Sequence, residues 1–174
     1  EQQVATCVEN LRSLSELMIY GDKHNEQFFE FFCEKNMLTL LMNIIRENNL
    51  LVQVQVIQSM SILVQNMTNE TAVYYLLSNN HINDIIRYGF DFSCEELQDW
   101  FASFLKALSL RLNTKTVQFF FNQPRATFPL YTRALDFVNH QEPMVRIAMR
   151  TLTLNVYRVQ DDAMRAFLLR DARC

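Results

Sequence analysis

Hydrophobic positions recur along this chain with the 3.6-residue period of an α-helix. In "EPMVRIAMRTLTLNVYR" (residues 142–158), apolar side chains occupy one side of the helical wheel and polar side chains occupy the other. Pro143 suits the first helical position, where a backbone N–H has no intrahelical partner. Only two glycines and three prolines interrupt the 174 residues, which favours long helices throughout. The pattern predicts an all-α protein.

The apolar pattern also repeats over a longer distance. The segment "FFEFFCEKNM" (28–37) matches "VYYLLSNNHI" (73–82) with an offset of 45 residues, and the same offset relates the helices that follow them. "VQFFF" (117–121) continues the series with an offset of 44. A period of about 45 residues, with one short and two longer helices in each unit, is typical of armadillo and HEAT arrays. We therefore predict an armadillo/HEAT-like α-solenoid in which neighbouring units bury each other's apolar faces.

The period divides the chain into units within a single domain, 1–174. Three repeat units and a flanking helix at each end are predicted at about 25–67, 70–113, 115–158, 3–20 and 160–170. An offset of 45 followed by one of 47 places Val56, Phe101 and Ala148 at equivalent buried positions. "LVQVQVIQ" alternates like a strand, but its matched positions keep helical spacing, so a helix is predicted there.

Two local features carry expectations of their own. Ser93 and Glu96 have the spacing of a capping box, which predicts the start of the long helix in the second unit. Asn155 is polar at an otherwise apolar position of the repeat. Because an unpaired buried amide costs about 1–3 kcal/mol, we expect Asn155 to hydrogen-bond a neighbouring backbone group.

The polar side of helix 142–158 is the candidate binding surface. Arg146, Arg150 and Tyr157 share one ridge of this helix, and the 47-residue offset relates the ridge to Lys106 in the previous unit. Because third helices line the concave surface of armadillo-type solenoids, we predict that these four residues bind a partner protein. The alternative is that they are only solvated, or that they pair with nearby carboxylates such as Glu142 for about 0–1 kcal/mol each.

No catalytic or metal-binding motif is present in the sequence. GxGxxG, GxxxxGK[ST], GxSxG and HExxH are all missing, and the three histidines stand apart, so neither a cofactor nor a metal is predicted. His81 and Asp84 have the types of a base and its orienting carboxylate, but a role at a helix start explains them. Four cysteines without CxxC pairing (7, 33, 94 and 174) indicate free thiols in a reducing compartment.

Charge and hydropathy narrow the classes of partner. The net charge of −3 and the pI near 5.6 disfavour a nucleic-acid-binding protein, which would need a basic surface. No run of 18 apolar residues occurs, so no membrane-spanning segment is predicted. The clusters "FFEFF", "YYLL" and "FFF" allow a lipid-binding element, but their recurrence with the repeat favours packing in a shared core.

Five blocks of sequence resemble one known family. "FFEFFCEKNM", "ETAVYYLLSNN", "FDFSCEE", "SFLKALSLRLN" and "FPLYTRALDFVNHQEPMVRIAMRTLTLNVY" occur in order and are similar to the FPL-domain family, which takes its name from the tripeptide at Phe128-Pro129-Leu130. The resemblance extends over about residues 8–160. Full-length family members continue beyond this domain, and the chain begins without methionine, so we expect it to be the N-terminal part of a longer protein.

The resemblance implies a cytosolic protein that is peripheral to endosomes, lysosomes or Golgi membranes. Family members act in endosome maturation, autophagy and vacuolar trafficking, with links to ubiquitin ligases and to Rab-type GTPase regulation. The resemblance supplies no catalytic residue, so a non-catalytic scaffold is the favoured function. The alternative is an enzyme, such as a ubiquitin-transfer component that uses Cys33 or Cys94. Cys94 is the better candidate because a helix N-terminus lowers the pKa of a thiol.

Overall fold

The computed structural model describes residues 2–170, and its regular secondary structure in this range is helical, which confirms the predicted all-α class. The α-helices are α1 (Gln2–His24), α2 (Gln27–Glu34), α3 (Met37–Arg46), α4 (Leu50–Asn66), α5 (Glu70–Ser78), α6 (Asn80–Arg87), α7 (Glu95–Leu110), α8 (Pro129–Leu135), α9 (Pro143–Arg158) and α10 (Asp162–Arg170). A 3-10 helix spans Thr116–Phe119. The alternating segment "LVQVQVIQ" lies within α4, as predicted.

The helices pack in rows that follow the order of the chain. The long helices form one row, in which α1 packs on α4, α4 on α7 and α7 on α9. A second row runs from α3 through α6 to α8, and α5 packs against the 3-10 helix. Each interior helix of a row, α4, α7 or α6, therefore contacts the corresponding helices before and after it.

Hydrogen bonds between the helices of a row join residues about one period apart. The Arg12 guanidinium of α1 donates to the Gln55 amide oxygen of α4 over 3.0 Å, across a separation of 43 residues. Ser61 of α4 donates to the Ser103 hydroxyl of α7 over 3.1 Å, across 42 residues. These side chains tie successive long helices to each other.

An aromatic cluster holds the middle of the structure together. Phe101 is 1% exposed, and its ring lies 5.1 Å from that of Phe92 and 6.3 Å from that of Phe137. The Arg133 guanidinium lies over all three rings at 5.3 to 5.8 Å, and it donates to the Tyr88 carbonyl over 3.3 Å. Cation–π contacts of this kind stabilise a charge that is removed from water.

The register of α9 differs by one residue from the prediction. Ala148 is only half-buried and Met144 is 70% exposed, so the prediction that Ala148 shares a buried position with Val56 and Phe101 is wrong. The buried residues of α9 are Val145, Met149, Leu152 and Val156. They follow four buried residues of α7 with an offset of 48: Leu97, Phe101, Phe104 and Leu108. Adjacent apolar pairs in α9, Met144-Val145 and Ala148-Met149, satisfy the helical period in either register, and the structure buries the second residue of each pair.

The predictions for the start of α7 and for Asn155 are confirmed only in part. Helix α7 begins at Glu95, but its N-cap is Cys94, whose side chain makes no capping hydrogen bond, so the predicted capping box at Ser93 is wrong. Asn155 is half-buried and donates to the Ser109 hydroxyl of α7 over 3.0 Å. This contact is to a side chain, whereas the prediction named a backbone group.

Candidate functional site

The two arginines of the predicted ridge have different surroundings. Arg146 is half-buried, and its Nη1 donates to the carbonyls of His140 over 2.7 Å and Gln141 over 3.2 Å. The Arg146 side chain therefore holds the loop before α9. Arg150 is exposed, and among the described residues its guanidinium has neither a hydrogen bond nor an ion pair.

The predicted pairing of an arginine with Glu142 is not present among residues 2–170. The Glu142 carboxylate instead accepts a hydrogen bond from the Met144 backbone N–H over 3.4 Å, as the N-cap of α9. An anionic N-cap is stabilised both by this bond and by the helix dipole. The positive charge of Arg150 thus faces solvent.

Tyr157 and Lys106 complete the predicted set. Tyr157 is 44% exposed, and its ring meets that of Tyr131 edge-on at 6.5 Å. Lys106 of α7 is half-buried. With the observed offset of 48 residues, the α9 residue equivalent to Lys106 is Leu154, whereas Arg150 is equivalent to Ala102 of α7. Lys106 thus belongs to one set of equivalent positions on α7 and α9, and the two arginines belong to the neighbouring set.

The side of α7 and α9 that contains Lys106 also carries exposed apolar residues that were not predicted from the sequence. Leu110 is 61% exposed, Ile147 is 55% exposed and Leu154 is 65% exposed. We name the set Lys106, Leu110, Ile147, Arg150 and Leu154 the α7–α9 surface. A signal was available in the sequence, because Ile147 and Leu154 are apolar residues seven positions apart that fall outside the buried side of α9.

The equivalent positions on α4 carry polar side chains, and these side chains are hydrogen-bonded. The Gln65 amide donates to Ser61 over 2.8 Å and to Ser103 over 3.2 Å. The surface therefore changes from neutral hydrogen-bonding groups on α4, which include Ser103 of α7 as a partner, to mainly apolar and basic groups on α9 and at the end of α7. The exposed Asp99 of α7, which is equivalent to Ile147, is the acidic exception. Exposed apolar residues that lie beside cations are suited to a partner that is both apolar and acidic.

The cysteines named as candidate nucleophiles lie in different settings. Burial raises the pKa of the Cys33 thiol, and a hydrogen bond with Tyr75 only partly opposes this effect. A raised pKa leaves less thiolate at neutral pH, which makes Cys33 a poorer nucleophile. Cys94 is half-buried at the N-terminus of α7, where it packs against the core.

The contacts of the histidines tie helices to each other. His81 Nε2 lies 3.0 Å from the Thr39 hydroxyl, and its Nδ1 lies 3.4 Å from the Asp84 carboxylate. His140 Nε2 lies 2.7 Å from the Gln98 amide nitrogen. Over residues 2–170, no group of three or more His, Cys, Asp or Glu side chains is placed to hold a metal ion. In the same range, none of the helices combines the length and apolar character needed to cross a bilayer.

Comparison with known proteins identifies the family. The model of the FPL family, described as an uncharacterised conserved protein, matches residues 11–157. The chain belongs to the FPL family. It is 50% identical over 171 residues to "Protein CLEC16A homolog" of Drosophila melanogaster, covering 97% of this chain and 16% of that relative. This confirms the resemblance found in the sequence.

Other relatives come from mammals and plants. "Protein CLEC16A" of Homo sapiens is 50% identical over 163 residues, covering 93% of this chain and 16% of the relative. "Protein TRANSPARENT TESTA 9" of Arabidopsis thaliana is 43% identical over 166 residues, covering 93% of the chain and 20% of the relative. The chain thus spans between a sixth and a fifth of the length of these relatives. None of these relatives bears the name of an enzyme. No solved structure matches the chain significantly.

Proposed function

We propose that this FPL domain is a non-catalytic scaffold for protein–protein interactions, built as an armadillo-like α-solenoid. The row of long helices, linked at intervals of 42 to 48 residues by hydrogen bonds, supports this architecture. Helical solenoids present extended surfaces to partners, because each unit contacts only its neighbours and leaves one side of the row open.

The scaffold acts in endosome and lysosome maturation, autophagy and membrane trafficking. This part of the proposal rests on the family resemblance, which also suggests a cytosolic protein peripheral to endosomes, lysosomes or Golgi membranes. Its partners are then other proteins, with ubiquitin-ligase and Rab-type GTPase machinery as the first candidates. The proposal covers the longer protein to which we assign this domain.

One observation carries the proposal of a binding site. Leu110, Ile147 and Leu154 are large apolar side chains that are more than half exposed, and Arg150 and Lys106 lie on the same helices. Interfaces favour apolar groups together with arginine and tyrosine and are depleted in acidic residues. We assign the α7–α9 surface, with Arg146 and Tyr157 at its border, to an acidic amphipathic segment of the partner.

A double variant tests this assignment. Arg150→Glu with Leu154→Glu reverses the charge and removes the apolar contact at two exposed positions, so the domain keeps its fold. The matched control is Leu40→Glu with Arg46→Glu on α3, where the leucine is 48% exposed and the arginine is exposed. Proximity labelling in cells, with circular dichroism as the check of folding, should show partners lost from the first variant only. Equal partner recovery from both variants would refute the surface.

The enzyme alternative rests on the position of Cys94 at the N-terminus of α7. Alkylation rates of the native protein, resolved by peptide mass spectrometry, separate the two functions. A scaffold requires that Cys94 react no faster than Cys7, which is also half-buried. Selective rapid reaction at Cys94, together with loss of function in Cys94→Ser, would support the enzyme.

A further inference from the structure

Helix α10 begins in the same way as the first short helix of each repeat unit. At each of these helix starts, the side-chain Oδ1 of one residue accepts a hydrogen bond from a backbone N–H two or three positions later, over 2.7 to 3.1 Å. The accepting residues are Asn25, Asn69, Asn113 and Asp161. Successive members are 44, 44 and 48 residues apart, and the last step equals the offset between the buried residues of α7 and α9.

The apolar residues of α10 also follow the pattern of these helices. Met164 and Leu168 of α10 are 0% and 1% exposed, and they follow the buried residues Val117 and Phe121 with an offset of 47, one residue less than the step between Asn113 and Asp161. Similarly, Leu77 of α5 is 1% exposed and matches Phe121 with an offset of 44. Buried apolar residues therefore recur at nearly equivalent positions after each of these helix starts.

Helix α10 contacts the third unit through an aromatic ring, and the third unit contacts the second in a similar way. The ring of Phe167 lies 5.5 Å from that of Phe121, and the Gln118 amide donates to the Asp161 carboxylate over 2.8 Å. One period earlier, the ring of Phe119 lies 4.8 Å from that of Tyr74 on α5. An aromatic contact thus joins α10 to the preceding unit, as another joins that unit to α5, although the paired rings are not at equivalent positions.

We infer that α10 is the first helix of a fourth unit, and that the cleft beside it receives the second helix of that unit from the polypeptide that follows residue 174. In the preceding units, each second helix packs on the second helix before it, as α6 does on α3 and α8 on α6. The cleft continues this row beyond α8. The curated relatives are five to six times as long as this chain, so they contain polypeptide enough to supply further units.

The walls of the cleft define the helix that fits it. The cleft has a volume of about 1040 Å³ and lies between the C-terminal end of α6, α8, α10 and the loop at 121–128. Phe121 and Phe167 line it with apolar surface. Arg87 and Arg170 contribute positive charge, whereas the Asp136 carboxylate, which also lines the cleft, is paired with Arg133 over 3.5 Å. The incoming helix is therefore amphipathic, with apolar residues toward the two phenylalanines and acidic residues toward the two arginines. The inference is independent of the α7–α9 surface, because different helices form the cleft.

Cysteine labelling tests the occupant directly. Ala166 is exposed and lines the cleft, and Glu16 is exposed on α1 at the other end of the row. Ala166→Cys and Glu16→Cys are each introduced into the chain 1–174 and into the full-length protein. Alkylation is followed by peptide mass spectrometry, with native Cys7 and Cys33 as references in every sample. We expect similar rates at both introduced cysteines in the chain 1–174.

In the full-length protein, labelling at Ala166→Cys should slow by at least about tenfold, because a packed helix must open before the reagent reaches the thiol. The rate at Glu16→Cys should not change. Equal rates at Ala166→Cys in the two proteins would overturn the inference. So would protection that increases with protein concentration, since this would identify a second copy as the occupant. Protection that requires another protein would overturn it as well.

Discussion

The interior and the end of the row of long helices use equivalent positions differently. Within the row of long helices, α7 packs against α4 on one side and α9 on the other, whereas α9, among residues 2–170, has α7 as its single neighbour in this row and also contacts α8 of the second row. Ala102 and Leu105 of α7 are 5% and 0% exposed, but the equivalent α9 residues are Arg150, which is exposed, and Thr153, which is half-buried. Equivalent positions are therefore apolar on α7, where a further long helix covers them, and polar on α9, where no long helix among the described residues does. Neighbouring helices thus determine which residue types a position accepts.

Helix α4 shows what coverage on both sides does to a sequence pattern. Gln53 and Gln55 are only 2% and 4% exposed, and both are hydrogen-bonded. The Gln53 amide donates to the Ile45 carbonyl of α3 over 2.9 Å, and the Gln55 oxygen accepts from Arg12 of α1. Because α4 buries polar residues toward several neighbours, its sequence loses the simple amphipathic period. This explains why "LVQVQVIQ" alternates like a strand although it forms a helix.

The largest expected effect tests the equivalence of buried positions in α7 and α9. Phe101→Ala should lower the free energy of unfolding by about 3–5 kcal/mol, and Met149→Ala by about 2–5 kcal/mol, because both remove a fully buried side chain. Ala148→Ser should cost no more than about 0.5 kcal/mol, because this position is half-buried and the change is small. Urea unfolding of the three variants provides the measurement. A greater loss of unfolding free energy in Ala148→Ser than in Met149→Ala would support the 47-residue register instead.

The second prediction concerns α1, the other end helix, and the turn that follows it. A Cβ added at Gly21 would lie 2.4 Å from the Phe28 Cβ, whereas one added at Gly89 would meet nothing within 4 Å. Gly21→Ala should therefore destabilise the protein by about 1–3 kcal/mol through overpacking of α1 against α2. Gly89→Ala is the matched control and should leave the thermal midpoint nearly unchanged. Similar midpoints for both variants would contradict the close packing.

Much of the fold is predictable from the sequence, because the determining signals are local or periodic. Long runs without glycine or proline predicted the helices, and matched apolar positions predicted the helix at α4. The register of α9 was not predictable, since the pairs Met144-Val145 and Ala148-Met149 satisfy the helical period in two ways. Only the packing of α9 on α7 distinguishes the two registers.

The candidate surface was less predictable than the fold. Helical spacing placed Arg146 and Arg150 on one side of α9, but it could not indicate that Arg146 is held by loop carbonyls, because that contact depends on the path of the loop. Leu154 was missed although Ile147 lies seven positions before it, because the helical period shows only that both residues fall outside the buried side of α9 and not whether another helix covers them. Its equivalence to Lys106 follows from the packed register alone.

A smaller effect is expected at the hydrogen bond that joins the interior helix α7 to the end helix α9. The Asn155 amide donates to the Ser109 hydroxyl, which itself donates to the Lys106 carbonyl over 2.6 Å. A double-mutant cycle with Asn155→Ala and Ser109→Ala should give a coupling energy of about 0.5–1.5 kcal/mol, as for a typical intramolecular hydrogen bond. Additive effects of the two substitutions would show that the bond contributes nothing to the attachment of α9.

The smallest effect concerns the carboxylate that ties the end of α1 to the loop between α4 and α5. Asp22 accepts hydrogen bonds from the Thr68 backbone N–H and hydroxyl over 2.6 and 2.7 Å, and from the Asn69 N–H over 3.1 Å. Burial by itself raises the pKa of Asp22, but these bonds outweigh it and lower the pKa below its ordinary value. A lowered pKa means that the folded state stabilises the ionised Asp22 carboxylate more than the unfolded state does.

The contribution of Asp22 to stability is therefore fully present above the ordinary carboxyl pKa of about 3.9 and is lost as the pH falls through the lower folded pKa. Asp22→Asn does not titrate. The difference in unfolding free energy between the wild type and this variant should be largest at neutral pH and should shrink between about pH 5 and about pH 2. Urea unfolding across this range measures it. A difference that stays constant with pH would contradict this prediction, because it would mean that the stabilising effect of the hydrogen bonds at Asp22 does not depend on the charge of the carboxylate.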